Sequence, residues 1–168
     1  MANRIRFTTR TLFILTFAAA LACMVAVSLY TSVRRQVGYG PYATFDEWPR
    51  ALIDLIGDDA DLRSEVYPYG LEGFVDVDHR SIWRIDSGSP LQQALLDEHA
   101  LNPTNASHPK AAELIASVPK GWNRYHWDRC TWYTSPGYGG VYIEGVDLFL
   151  VAQDSETGDM IVLHEWIF

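Results

Sequence analysis

The longest apolar run in the chain lies near its N-terminus: "TLFILTFAAALACMVAVSLY", Thr11 to Tyr30, has no charged residue. As an α-helix rising about 1.5 Å per residue, it would extend about 30 Å, the hydrocarbon thickness of a bilayer. Arginines flank the run on both sides, at Arg4, Arg6, Arg10, Arg34 and Arg35. The pattern predicts a basic segment over 1–10, a transmembrane helix over 11–30 and a linker over 31–43.

A cleaved signal peptide is the alternative interpretation of this N-terminus. Ala20-Leu21-Ala22 fits small-residue cleavage, and Cys23 could carry a lipid. The apolar run continues through Val27, however, and is longer than a signal core needs, which favours a retained anchor. Because more positive charge precedes the run than follows it, we expect the N-terminus inside the cell and the rest of the chain outside.

Apolar residues at helical spacing predict the first helix of the remaining chain, in "TFDEWPRALIDLIG". The apolar stripe consists of Trp48, Leu52, Leu55 and Ile56. Thr44 or Asp46 is expected to cap its N-terminus, and Gly57 to end it.

Two further helices follow from capping signals. Ser89 before Pro90 is a typical helix opening, and the second helix is expected to run through "PLQQALLDEHAL". The third is predicted in "SHPKAAELIASVP", capped by Ser107. Its inward-facing residues are expected to be Leu114, Ile115 and Val118.

The C-terminal part of the chain has β character. Strands are predicted over 122–134, 141–153 and 160–168, with a hairpin turn at 154–158 in which Gly158 takes a positive φ. Residues 81–85 are a candidate fourth strand, and 58–80 show no sustained period. We therefore expect an α+β domain over 44–168, with about three helices covering one face of a C-terminal antiparallel meander of three to four strands.

Charge is segregated along the chain. All 21 acidic residues lie after position 35, together with eight of the 13 basic ones, so residues 36–168 carry a formal charge of −13. Such a domain repels phosphate backbones, so no nucleic-acid partner is expected. Of the two cysteines, Cys23 lies in the apolar run, so Cys130 has no disulfide partner within the domain.

The N-terminal segment "RIRFTTRTLFILTFAAALACMVA", residues 4–26, resembles the R-F-[ST]-x-R-T-L type of leader found on many small uncharacterised bacterial membrane proteins. The resemblance implies a bacterial envelope setting and assigns no activity and no functional residue. Residues 36–168 resemble no family that we recognise.

"HWDRCTW", residues 126–132, contains the most evident candidate chemistry. On a strand, His126, Asp128 and Cys130 would share one face, about 6.6 Å apart from one to the next. His126 would then lie about 13 Å from Cys130, too far to deprotonate it, while Asp128 would raise the thiol pKa. His126 and Asp128 are weak candidates for two metal ligands. We favour an ordinary strand and predict no catalytic residue, metal or cofactor.

Tryptophan is abundant, with six in the chain. An exposed sheet face could use such rings to bind a sugar or a peptide, and the candidates are Trp122, Trp127, Trp132 and Trp166. The alternative is that these rings fill the core of a small domain, which we favour.

These observations predict a single-pass protein of the bacterial cell membrane, anchored in the lipid bilayer through residues 11–30. Its outer domain is expected to be a binding or assembly module for another envelope component, either a protein or a glycan. Two alternatives stay open: a membrane-tethered metal-dependent hydrolase that uses His126 and Asp128, and a purely structural domain.

Overall fold

A computed structural model describes residues 9–36, 40–72, 78–122, 125–139 and 145–167. The chain divides into two compact units, Met1–Gln36 and Val37–Phe168. The first contains one helix, α1 (Thr9–Gln36), in which the window Phe13–Tyr30 has a mean hydropathy of 2.2. This apolar helix is long enough to span a membrane or to serve as a signal sequence, and it continues six residues beyond the predicted end.

The described residues of the second unit form a seven-stranded antiparallel sheet, with the order β1-β2-β3-β7-β6-β5-β4. Its strands are β1 (Gly40–Pro41), β2 (Val66–Glu72), β3 (Asp78–Ile85), β4 (Asn102–Thr104), β5 (Cys130–Thr134), β6 (Asp147–Asp154) and β7 (Met160–Ile167). The α+β class is confirmed, and the sheet has more strands than the three to four predicted. Strand β3 includes the predicted 81–85, and residues 141–144 of the predicted strand 141–153 lie outside the described residues.

The three predicted helices of the domain are present but shorter than expected: α2 (Arg50–Ile56), α3 (Pro90–Glu98) and α4 (Ala111–Ser117). Pro49 is the N-cap of α2, and the preceding Phe45–Glu47 forms a separate 3₁₀ turn, so the predicted start at Thr44 or Asp46 was wrong for this helix. Gly57, at φ +59°, ends it as predicted.

The start of α3 is confirmed, because the Ser89 side chain accepts a hydrogen bond from the Leu91 amide at 3.3 Å. The predicted cap of α4 was wrong. Ser107 donates its amide to Asn105 Oδ1 in a local turn, and the helix begins only at Ala111. Leu114 is buried as expected, whereas Ile115 is 37% exposed and does not face the core.

Both faces of the sheet are covered, which corrects the expectation that helices cover only one. Leu52, Leu91 and Leu95 of α2 and α3 pack in a first core cluster with one face, and Leu114 of α4 packs in a second cluster with the other. Ile82 and Trp83 are neighbours on β3 and belong to opposite clusters. Strands buried on both faces consist of continuous apolar runs, as in "LFLVA" of β6 and "MIVL" of β7.

The turn between β6 and β7 is confirmed. Gly158 has φ +79°, and a Cβ there would collide with the Ser87 hydroxyl. Asp154 Oδ1 accepts the amides of Glu156 at 2.7 Å and Thr157 at 3.3 Å. A side chain that caps its own turn in this way fixes the hairpin register.

Candidate functional site

The stretch around His126 is not the continuous strand predicted for 122–134. Trp127–Arg129 form a 3₁₀ turn, and β5 begins only at Cys130. The Arg129 amide donates to the His126 carbonyl at 2.8 Å, and the His126 amide donates to Asp154 Oδ2 at 3.2 Å. His126, Asp128 and Cys130 therefore do not alternate along one strand face.

The metal and hydrolase hypothesis draws no support from the surroundings of His126. Its side chain is 56% exposed, with Nε2 3.7 Å from Glu156 Oε2. His164 cannot serve as a further ligand beside His126. His164 hydrogen-bonds Asp147 at the start of β6, whereas His126 hydrogen-bonds Asp154 at the end of β6, about 23 Å away along the strand. Within the described residues, no group of three histidine, cysteine, aspartate or glutamate side chains is placed to hold a metal ion.

Cys130 is not an activated thiol. Burial, followed by the negative charges of Asp154 and Asp128, raises its pKa to about 11. The thiol is therefore protonated at neutral pH and donates to the His126 carbonyl at 3.5 Å.

The four candidate tryptophans do not form one face. Trp132 is buried in the second core cluster, and Trp122 and Trp127 pack against that cluster while partly buried. The rings of Trp127 and Trp132 lie 6.1 Å apart. Trp166 and Val162 are four residues apart on β7 and therefore lie on the same face of the sheet. Val162 belongs to the first core cluster, so Trp166 lies on the face opposite to the other three tryptophans.

A cleft of about 580 Å³ opens on the α4 side of the sheet, between β2 and the C-terminal end of α4. Apolar residues contribute to its wall, and three charged residues also line it: Arg80 from the sheet, Glu113 from α4 and Lys120 from the segment after α4. Its lining consists of Tyr69, Leu71, Arg80, Glu113, Ala116, Ser117, Val118, Pro119 and Lys120.

Two of the lining residues belong to a four-membered ion-pair network. Arg80 Nε lies 2.9 Å from Glu165 Oε1, and the Arg80 guanidinium also pairs with Glu113. Lys110 Nζ lies 3.0 Å from Glu165 and 3.1 Å from Glu113. Each anion therefore faces two cations, and we call these four residues the ion-pair network.

Local structure explains how this network assembles. Arg80 and Glu165 are directly opposed in the β3–β7 register, and Lys110 and Glu113 are three residues apart at the start of α4. Burial of Tyr138 beside Glu165 raises the tyrosine pKa, so its hydroxyl stays protonated. A buried carboxylate such as Glu165 is costly unless paired, and the two cations supply that pairing.

The opposite face of the sheet contains a partly buried polar cluster around His164, which we call the histidine centre: Tyr42, His79, Ser81, His99, Asp147 and His164. His164 Nδ1 lies 3.2 Å from Ser81 Oγ, and Nε2 lies 2.6 Å from Asp147 Oδ1. With Nε2–H donating to Asp147, Nδ1 accepts the Ser81 proton. The composition is that of a serine–histidine–aspartate triad, with the two ring nitrogens exchanged.

Ser81 is nevertheless not placed as a nucleophile. Ser81 is 0% exposed, and its hydroxyl oxygen accepts a hydrogen bond from the Trp83 indole N–H at 2.8 Å. An acyl substrate must reach the attacking oxygen to within about 3–3.5 Å, which complete burial prevents. The hydrogen-bonded series of side chains Trp83, Ser81, His164 and Asp147 is therefore a satisfied, largely buried polar network.

The other two histidines of the centre favour the neutral state. Burial is the largest cause of the lowered pKa of His79, the nearby His164 ring adds to the lowering, and Asp147 opposes it. Burial likewise lowers the pKa of His99, and Asp147 and Glu98 act in the opposite direction. The Tyr42 hydroxyl is hydrogen-bonded to His79 Nε2 at 2.9 Å. Burial raises the pKa of Tyr42, so this hydroxyl is un-ionised.

Neither the cleft nor the histidine centre was predicted from the sequence. Their residues come from segments far apart in the chain, and only the strand register brings Arg80 to Glu165 and Ser81 to His164. Comparisons with protein-family models, curated proteins and solved structures return no match to this chain.

Proposed function

We propose that this protein is a membrane-anchored binding module of the bacterial envelope and that its ligand occupies the cleft. The observation that supports this proposal is the cleft itself. Its volume of about 580 Å³ falls within the range of roughly 300–1,000 Å³ typical of ligand sites. An apolar wall that includes Tyr69 and Val118, with charged residues at Arg80, Glu113 and Lys120, suits a ligand with an apolar body and polar groups.

The edges of the sheet do not favour a partner that binds by adding a strand. Strand β1 has two residues and β4 has three, and each contains a proline, Pro41 or Pro103. Short edge strands with proline are poor templates for a further strand. A partner is therefore expected to bind through side-chain surfaces.

The setting supports an envelope component as the partner. We propose that α1 is retained as a single anchor with the N-terminus inside and the acidic domain outside. A formal charge of −13 over residues 36–168 disfavours polyanionic ligands. The partner class is therefore another envelope protein or a glycan.

Site-specific photocrosslinking in intact membranes tests this function. A photoreactive amino acid at Ala116, an exposed residue of the cleft lining, is expected to give one discrete adduct. The same group at Gln93, which is exposed on α3 at the other face, is the matched control. Ser117→Trp, which fills the cleft, should abolish the Ala116 adduct.

Two results would contradict the proposal. Equal labelling at Ala116 and Gln93 would indicate random collision, and an Ala116 adduct that survives Ser117→Trp would place the partner outside the cleft. No adduct at Ala116 would favour the purely structural alternative.

A further inference from the structure

Residues 40–43 are the first described residues of the second compact unit, and we call them the first segment of the domain. They lie against the histidine centre. Gly40 pairs with Gly70, Gly70 with Ser81, and Ser81 with His164, so these four residues form one row across the sheet. The two glycines contribute no side chain to that row. Tyr42, two residues after Gly40, is half-buried and interacts with Ser81 as well as with His79.

The polarity of the Tyr42–His79 hydrogen bond depends on the protonation state of the imidazole. The un-ionised Tyr42 hydroxyl has one proton, and His79 Nε2 can accept it only while it carries no proton of its own. A protonated His79 becomes a donor at both nitrogens. The hydroxyl would then have to turn and accept, beside a ring that has lost its water shell.

The charged groups around His79 offer little compensation for a positive charge. From β7, His164 faces it with ring centroids 6.4 Å apart. From β6, Asp147 faces the centre but already accepts the His164 hydrogen bond. From the C-terminal end of α3, His99 and Glu98 lie near Asp147 and His164, and His99 adds a second titratable ring.

Acid therefore acts against the native arrangement at His79. Burial and the proximity of His164 lower its pKa below the ordinary 6.5. For a histidine whose folded pKa is lowered, the closed state is fully stabilised above about 6.5. That stability is lost progressively as pH falls from there towards the folded pKa. A charged ring regains hydration by leaving the centre, which removes the acceptor of Tyr42.

We propose that the histidine centre is an acid-sensitive fastening for the first segment of the domain, residues 40–43. His79 is the titrating group, and its hydrogen bond with Tyr42 is the contact that acid breaks. At neutral pH the segment is held against β2 and β3. As pH falls below about 6.5, the closed arrangement progressively loses stability and the segment opens, while the sheet stays folded. This inference is independent of the cleft, because the two sites lie on opposite faces of the sheet.

Hydrogen–deuterium exchange of the full chain in detergent micelles tests the proposal. Protection factors, corrected for the intrinsic pH dependence of exchange, are compared at pH 7.5 and 5.0. An opening that takes up one proton shifts its equilibrium by up to tenfold per pH unit between the two pKa values. We expect protection of peptides over 40–48 to fall about tenfold, while peptides from β6 and β7 keep theirs.

Three variants make the assignment specific. His79→Gln keeps a neutral acceptor for Tyr42 and should remove most of the fall, and His79→Asn is the second variant if the first folds poorly. Tyr42→Phe should lower protection already at pH 7.5. The exposed His126→Gln is the matched control and should leave the fall unchanged.

The outcomes separate cleanly. Equal protection of 40–48 at the two pH values in the unaltered chain would overturn the proposal. So would a full fall retained in His79→Gln. Loss of protection throughout β6 and β7 would show global acid unfolding instead of a local fastening.

Discussion

Gln92 shows how much of this fold depends on one buried side chain. Its amide nitrogen donates to the carbonyls of Gly158 at 2.9 Å and Asp86 at 3.0 Å, and its oxygen accepts from Gln153 at 3.0 Å. It thereby connects α3, the end of β3 and the β6–β7 hairpin. The sequence alone does not reveal this role, because a glutamine in a helical pattern is usually expected to face solvent.

Replacing Gln92 by leucine should destabilise the domain strongly. The size changes little, but three partners, Asp86, Gly158 and Gln153, lose a hydrogen bond, and a buried unsatisfied group costs about 1–3 kcal/mol. We expect the free energy of unfolding in urea to fall by about 2–4 kcal/mol. Gln93→Leu is the adjacent control, because Gln93 is exposed, and its effect should stay within about 0.5 kcal/mol. Equal losses in both variants would contradict this account.

At the scale of elements, the β6–β7 hairpin owes its geometry to Asp154. Burial opposes its ionisation, but backbone N–H donors from Glu156, His126 and Thr157 outweigh burial and lower its pKa below 3.8. The same carboxylate accepts a hydrogen bond from the His126 amide and so fixes the backbone just before the 3₁₀ turn that precedes β5. The prediction of a regular strand there failed because this hydrogen bond comes from a residue 28 positions away.

Because its pKa is lowered, Asp154 makes the free energy of unfolding depend on pH in the acid range. Its contribution to stability is fully present above about pH 3.8 and is lost as pH falls through the folded pKa. Asp154→Asn should therefore lower the free energy of unfolding by about 1.5–3 kcal/mol at pH 7, the range for hydrogen bonds to charged groups. The difference from the unaltered chain should narrow below pH 3.8. Urea unfolding between pH 2.5 and 7 measures it, with the exposed Asp128→Asn as control. A difference that stays constant with pH would contradict the role of the charge.

Local signals explain which elements the sequence could predict. Ser89-Pro90 begins α3 because the cap is satisfied by residues next to it, and the turn before β7 follows from Asp154 and Gly158. Strand β2 was missed because Pro68 and Gly70 are poor strand residues, and its pairing with β3 overrides that preference.

At the scale of the whole molecule, register and layer order decide where the candidate sites form. Arg80 and Glu165 are 85 positions apart in the chain, and a shift of one residue between β3 and β7 would send one of them to the other face. The α+β class follows from patterns, since helices and strands have different periods. The cleft and the histidine centre do not, because both depend on that register.

The anchor is the property of the whole chain that can be tested most directly. Because α1 is apolar over Phe13–Tyr30 and continues to Gln36, we expect it to stay attached. The intact mass of the membrane-extracted protein should then include residues 1–36, and alkaline carbonate should not release it. Ala19→Arg, near the middle of the span, adds about 2.5–3.5 kcal/mol to insertion and should shift protein to the soluble fraction. The exposed Gln93→Arg in the domain is the matched control. A mature N-terminus at Cys23 would show instead that this helix is a signal sequence, and a lipid on Cys23 would then be the attachment to test.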